Sequence, residues 1–113
     1  PLDVWQLWDA FEIQNANMIG WWSADAPILT NNPEVLATSY VNANAQKTLL
    51  VLASWLDQPC EVNLSIDWAV LNISNATATF TAPLMYGIQP AAVFRAGEPI
   101  PITASQGWMF IIQ

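Results

Sequence analysis

The sequence predicts an all-β domain: an antiparallel β-sandwich of Greek-key type with a short helix at its N-terminus. Three observations lead there. From Val35 onward, short apolar or alternating segments are separated by Gly, Pro and Asn turns at regular spacing, the pattern of antiparallel sheets packed face to face. The stretch from Lys47 to Trp68 reads as two strands around a Pro-containing turn. Only the first fourteen residues carry a clear helical period instead of a two-residue one. The expected organisation is therefore an N-terminal helix and apolar connector over 1–22 and a sandwich over 23–113.

In the helix, Val4, Leu7, Trp8 and Phe11 follow the i, i+3, i+4, i+7 spacing of an apolar face, and Trp5 widens it. Asp3 with Gln6 resembles a capping box. Met18 to Trp22 follows as a short extended segment, and residues 23–34, with two prolines and paired asparagines, read as a loop. Leu36, Thr38 and Tyr40 then alternate with Ala37, Ser39 and Val41.

Thr48 to Trp55 is an apolar run that suits a strand buried on both faces. Beyond Asp57-Gln58-Pro59, Cys60, Val62, Leu64, Ile66 and Trp68 share one side of an alternating strand, so the two are expected to pair as a hairpin. Ala69 to Leu71 fits one helical turn, with Asp67 capping or bracing it. Strands are expected over Ala76 to Ala82 (Ala78 and Phe80 inward) and Ala91 to Phe94. Pro99 and Pro101 confine the next segment to an edge, and Gly107 to Gln113 suits a central position.

At 113 residues the chain is one domain with room for a real core. Nine acidic residues against two basic ones give a net charge of −7, which excludes nucleic acid and anionic membranes as partners. No apolar stretch reaches the roughly eighteen residues that span a bilayer, and no signal peptide is present. Pro1 in place of an initiator Met points to a piece of something longer. Charged residues make up only 10% against about 25% in an ordinary soluble domain. So few charges predict a surface that is covered, either by a neighbouring domain or by copies of the same chain.

Several motifs together carry a family resemblance: Trp8 and Phe11, Gly20-Trp21-Trp22, Ala37-Thr38-Ser39-Tyr40, Ala53-Ser54-Trp55, Ile66-Asp67-Trp68, Ala82-Pro83, Ile88-Gln89-Pro90 and Gly107-Trp108. In this order the chain resembles the C-terminal β-sandwich of large secreted glycoside-hydrolase-like proteins, in which a (β/α)8-barrel precedes the sandwich. The resemblance implies a non-catalytic, extracellular module, because in such proteins the acid and base carboxylates sit on the barrel.

The residues agree that the chain is not an enzyme by itself. It has no His, which removes the usual general base and the commonest metal ligand. A single Cys excludes thiolate metal clusters and an internal disulfide; Cys60 fits a core thiol better than an intermolecular bridge. Asp25, Asp57 and Asp67 show no spacing that predicts a facing pair of carboxylates. No cofactor and no metal site is expected.

Of seven tryptophans, Trp55, Trp68 and Trp108 fall in strand patterns that place them in the core. Trp21 and Trp22, adjacent in an extended segment, are the candidates for stacking on a sugar ring, with core or interface packing as the plainer explanation. Three Asn-X-Ser/Thr sequons, at Asn63, Asn72 and Asn75, are candidates for N-glycans and would imply a secreted glycoprotein; surface asparagines in a Thr-rich chain explain them as well. Three functions remain in view. One is a structural accessory module packing on its neighbour through Trp5, Trp8, Phe11 and Trp21. The others are a self-assembling subunit of an extracellular filament and a carbohydrate-binding module.

Overall fold

The computed structural model describes residues 2–104 and 106–113, the first two by backbone alone. The chain folds as helix α1 (Leu2–Phe11), a 3-10 turn (Ile13–Asn15), and strands β1 (Asn17–Ile19), β2 (Ile28–Thr30), β3 (Val35–Asn42), β4 (Lys47–Ser54), β5 (Cys60–Val62) and β6 (Leu64–Ile66). A one-turn helix α2 (Trp68–Leu71) follows, then β7 (Thr79–Ala82), β8 (Ala92–Arg95), β9 (Ile100–Ile102) and β10 (Gly107–Ile112). Six strands form one antiparallel sheet in the order β1-β3-β4-β10-β7-β8; β2 pairs with β6 and β5 with β9 in two small sheets. The all-β sandwich expected from the turn spacing is what forms.

The main core lies between the large sheet and the small ones. Ala37, Leu50, Leu52, Phe80, Phe110 and Ile112 point inward from the large sheet, and Ile28, Val62, Ile100 and Ile102 meet them from the other layer. Phe80, Phe94, Trp108 and Phe110 form a continuous set of ring contacts, with Trp108 stacked on Phe110 at 5.2 Å between centroids. The Trp108 indole N–H donates to the Pro101 carbonyl at 2.6 Å, tying β10 to the β9 edge. Edge geometry is what admits Pro101, whose missing N–H leaves no gap in a ladder there.

The opposite face of the large sheet is covered by α1. Val4, Leu7 and Phe11, spaced at i, i+3 and i+7, are buried against Leu49 and Met85, with Trp8, Tyr40, Met109 and Ile111 packed around them. This second apolar layer explains why β4 and β10 are apolar on both faces: each lies between two cores. The helix ends at Glu12, which takes the left-handed conformation (φ 60°). The proposed capping box rests on the side chain of Asp3, which lies outside the described residues.

The expected hairpin over Lys47–Trp68 does not form. β4 pairs with β3 and with β10, while the chain after Pro59 crosses to the other layer. There the expected single strand breaks at Asn63 into β5 and β6, which pair with β9 and β2. Alternation named the packed side correctly, since Val62 is buried and Cys60, Leu64, Ile66 and Trp68 pack on the main core. But alternation says which face is dry, not which strand lies alongside. The loop assigned to 23–34 contains β2, and Trp21-Trp22 occupy a turn beyond β1 rather than an extended segment. The helical turn after Asp67 forms as expected, with the Val70 N–H donating to the Asp67 carboxylate at 3.4 Å.

One loop is fastened by a side chain acting as backbone. In the register that pairs Thr81 with Ile111, Pro83 would come opposite Met109, but proline has no N–H to offer. Gln89 supplies what is missing. Its amide donates to the Met109 carbonyl (3.0 Å) and to the Pro83 carbonyl (2.8 Å), and its oxygen accepts from the Met109 N–H (2.8 Å). Buried Gln89 in turn exchanges two backbone hydrogen bonds with Met85.

Candidate functional site

Two surfaces could carry a function, one on each side of the large sheet. The first lies on the helix side. Along the outer face of β4, Leu49 is buried beneath α1, Val51 is half-buried, Ala53 is exposed, and Trp55, one residue past the strand end, is 74% exposed. Trp55 was expected in the core. It has the parity of Leu49, Val51 and Ala53, which places it on the outer face beyond the reach of α1. Leu36 of β3 and Gly107 of β10 flank Ala53 in the ladder. A groove of about 350 Å³ runs here between β4, β10 and the Gln89 loop, lined by Val51, Ala53, Ile88 and Met109 and by no charged residue. Gly107 allows the two strands to close at this point, because a Cβ there would collide with the Leu52 carbonyl.

The sequence candidates for an interface divide on this side. Phe11 is wholly buried within the chain, with the Lys47 ammonium 5.4 Å above its ring, so it cannot meet a partner. Its correction has a simple cause: the sheet itself takes the apolar stripe of α1. Trp8 is half-buried in the same layer, and Trp5, at 62% exposure, points away from it. Trp21 and Trp22 are 47% and 64% exposed. Their rings stand at 86° to one another, 5.8 Å apart, so one pyranose cannot lie flat on both. Gly20 is buried in front of them, and its missing side chain makes the space into which the Trp22 ring folds.

The second surface is a cleft of about 340 Å³ in the layer of small sheets, lined by Asn63, Trp68, Asn75, Phe80, Arg95 and Glu98 among others. Its walls are set locally. Asp67 caps α2 and so fixes Trp68 at the helix start, with its ring edge-on to Phe80 at 6.2 Å. The turn after β8 closes through the left-handed Gly97 (φ 88°), with the Glu98 N–H donating to the Arg95 carbonyl. The Glu98 carboxylate folds back to accept the Arg95 N–H at 3.0 Å.

All three sequon asparagines are exposed, but they differ. Asn72 takes the left-handed cap position of α2 and donates its amide to the Ala43 carbonyl at 2.9 Å. Asn63 and Asn75 line the cleft. Cys60 is half-buried against the main core. Among the described residues no three His, Cys, Asp or Glu side chains are grouped so as to hold a metal ion, and no helix is long and apolar enough to cross a membrane.

A family model described as glycoside hydrolase 123, C-terminal domain, matches residues 1–113. The chain belongs to that family. No curated protein and no solved structure matches it. A glycoside hydrolase 123 C-terminal domain is an accessory module of a glycoside hydrolase family protein and not the catalytic domain by itself. Membership agrees with the resemblance carried by the Trp8 to Trp108 motifs, and it gives the groove beside β4 and β10, with no charged lining residue, a context.

Two features of this glycoside hydrolase 123 domain were not singled out from sequence. Trp55 was assigned inward, although strand parity shared with Ala53 was legible. Arg95 was seen only as part of a turn, although it is one of two cations in a chain of net charge −7.

Proposed function

We propose that this domain is a non-catalytic packing module whose open outer sheet face seats against a neighbouring domain of the same glycoside hydrolase family protein. The observation that carries this is the course of β4. A single strand face passes from buried at Leu49 to open at Ala53 and Trp55, and the groove beside it has no charged lining residue. Apolar surface left uncharged in a continuous strip is what protein interfaces cover. With no His in the chain, the module contributes area and shape, while acid–base chemistry belongs to another domain.

The test compares Trp55→Asp in the 113-residue chain and in the longer protein that carries the neighbouring domain. In the isolated chain an exposed substitution leaves the melting temperature within about 2 °C, since it lies within the roughly ±0.5 kcal/mol of ordinary surface changes. In the longer protein it is expected to lower the melting temperature by several degrees and to make the junction sensitive to limited proteolysis. Equal effects in the two contexts would overturn the proposal. If the isolated chain instead forms concentration-dependent oligomers that Trp55→Asp disperses, the face joins copies of the chain.

A further inference from the structure

The large sheet has a gap along the edge of β3. β1 covers only the second half of that edge, pairing Ile19 with Ser39 and Asn17 with Val41. The chain then leaves the edge at Gly20, where the Ser23 N–H closes a turn on the Gly20 carbonyl. Backbone hydrogen bonds alternate sides along an antiparallel strand, and the Trp55 N–H donates to the Glu34 carbonyl. The even-numbered residues of β3 therefore face β4, and Val35, Ala37, Ser39 and Val41 face the edge. Val35 is satisfied there: its N–H donates to the Asn32 carbonyl, and its carbonyl accepts the Thr30 hydroxyl at 2.7 Å. Ala37 is not. Among the described residues its N–H and carbonyl have no partner, although Ala37 is only 3% exposed and buried backbone groups are nearly always paired. Val93 of the edge strand β8 also turns its backbone groups away from its partner strand, but Val93 is exposed and water serves it.

Beside Ala37 lies a notch of about 280 Å³, lined by Trp21, Leu29, Pro33 and Leu36 among others and by no charged residue. Its walls include inward-facing Val35 and outward-facing Leu36, so it opens at the edge of the sheet and not on one face. We propose that this notch takes an extended, uncharged segment of the neighbouring domain, which adds to β3 as a short strand opposite Ala37. An orphaned N–H and C=O at strand spacing match what a polypeptide backbone presents, and apolar walls next to them hold one of its side chains. The open lane lies between Ser39 and Val35, roughly 13 Å at about 3.3 Å per residue, so the added strand is about three residues long. This attachment rests on the docking reading above and gives the same neighbour a second contact. The two surfaces are continuous, since Leu36 pairs with Ala53 and the Glu34 carbonyl holds the Trp55 N–H.

The experiment is amide hydrogen exchange at Ala37, in the 113-residue chain and in the longer protein that carries the neighbouring domain. In the isolated chain Ala37 is expected to exchange at least about tenfold faster than Ser39, and in the longer protein to slow by at least about tenfold, the factor of one net hydrogen bond. Leu29→Lys sets a charge on the exposed wall of the notch. It is expected to return Ala37 of the longer protein to its isolated-chain rate, while an unchanged rate at Ser39 shows that β3 is intact. Ala37 as slow as Ser39 in the isolated chain, equal rates in the two proteins, or a slowed rate that Leu29→Lys leaves alone would overturn the proposal. So would slowing in the isolated chain that grows with concentration, which would make a second copy the occupant. If Trp55→Asp acts only in the longer protein while Ala37 exchanges alike in both, docking on the outer face stands and the added strand fails. If Ala37 slows while Trp55→Asp acts equally in both, the neighbour is held at the edge and the outer-face reading fails.

Discussion

The two faces of the six-stranded sheet are closed by different means. The inner face meets a whole second layer, and its aromatic side chains touch one another from Phe94 through Phe110 to Phe80. The outer face has one ten-residue helix, which covers the Leu49 end of β4 and stops short of Ala53. The difference shows which packing the fold depends on and which it leaves open. An inner-face defect has neighbours on every side and nowhere to relax, whereas α1 can shift on its sheet.

The sharpest contrast is between two fully buried phenylalanines. Phe110→Ala is expected to cost about 4 kcal/mol and Phe11→Ala about 3 kcal/mol, read from urea unfolding of the isolated chain. Equal costs would mean that helix and second layer are equally rigid. Between the faces, Gln89→Ala leaves the Met109 N–H and carbonyl and the Pro83 carbonyl without their side-chain partner. Because the loop can admit water once released, the expected loss is about 2 kcal/mol. Smallest is a gain. Thr48 is fully buried, and its hydroxyl has no partner among the described residues, so Thr48→Val is expected to add about 1 kcal/mol and raise the melting temperature by a few degrees. A loss of stability there would show that the hydroxyl has a partner after all.

Much of this architecture was legible, and what was not has identifiable causes. Leu49 and Leu50, in their apolar run, and the alternation of Val62 with Leu64 and Ile66 announced their burial because hydrophobic pattern reports the dry side of an element, whereas the period that put Phe11 on an apolar face did not say that the sheet of the same chain would cover it. Strand partners were a different matter. Lys47 to Trp68 looked like a hairpin because its two strands are close in sequence, yet β4 lies beside the last strand of the chain. Hydrophobic pattern holds no record of such long-range pairing. Trp55 was misplaced because its size outweighed its parity. The Arg95–Glu98 cleft could not be foreseen at all, since Asn63, Trp68, Asn75 and Arg95 meet only once β6, α2 and the turn after β8 are stacked. The single cation in a sparsely charged stretch was the available hint.

The Gln89 clamp has a consequence for how the molecule keeps to itself. Where β7 stops at Pro83, β10 would otherwise present a bare N–H and a bare carbonyl at Met109, beside the groove and within a run of apolar residues. A central strand open at one point is a template on which a passing polypeptide can add itself, the first step toward edge-to-edge aggregation. By occupying both groups, Gln89 acts as a plug: docking on the outer face is left to side chains, and strand addition at that point is blocked.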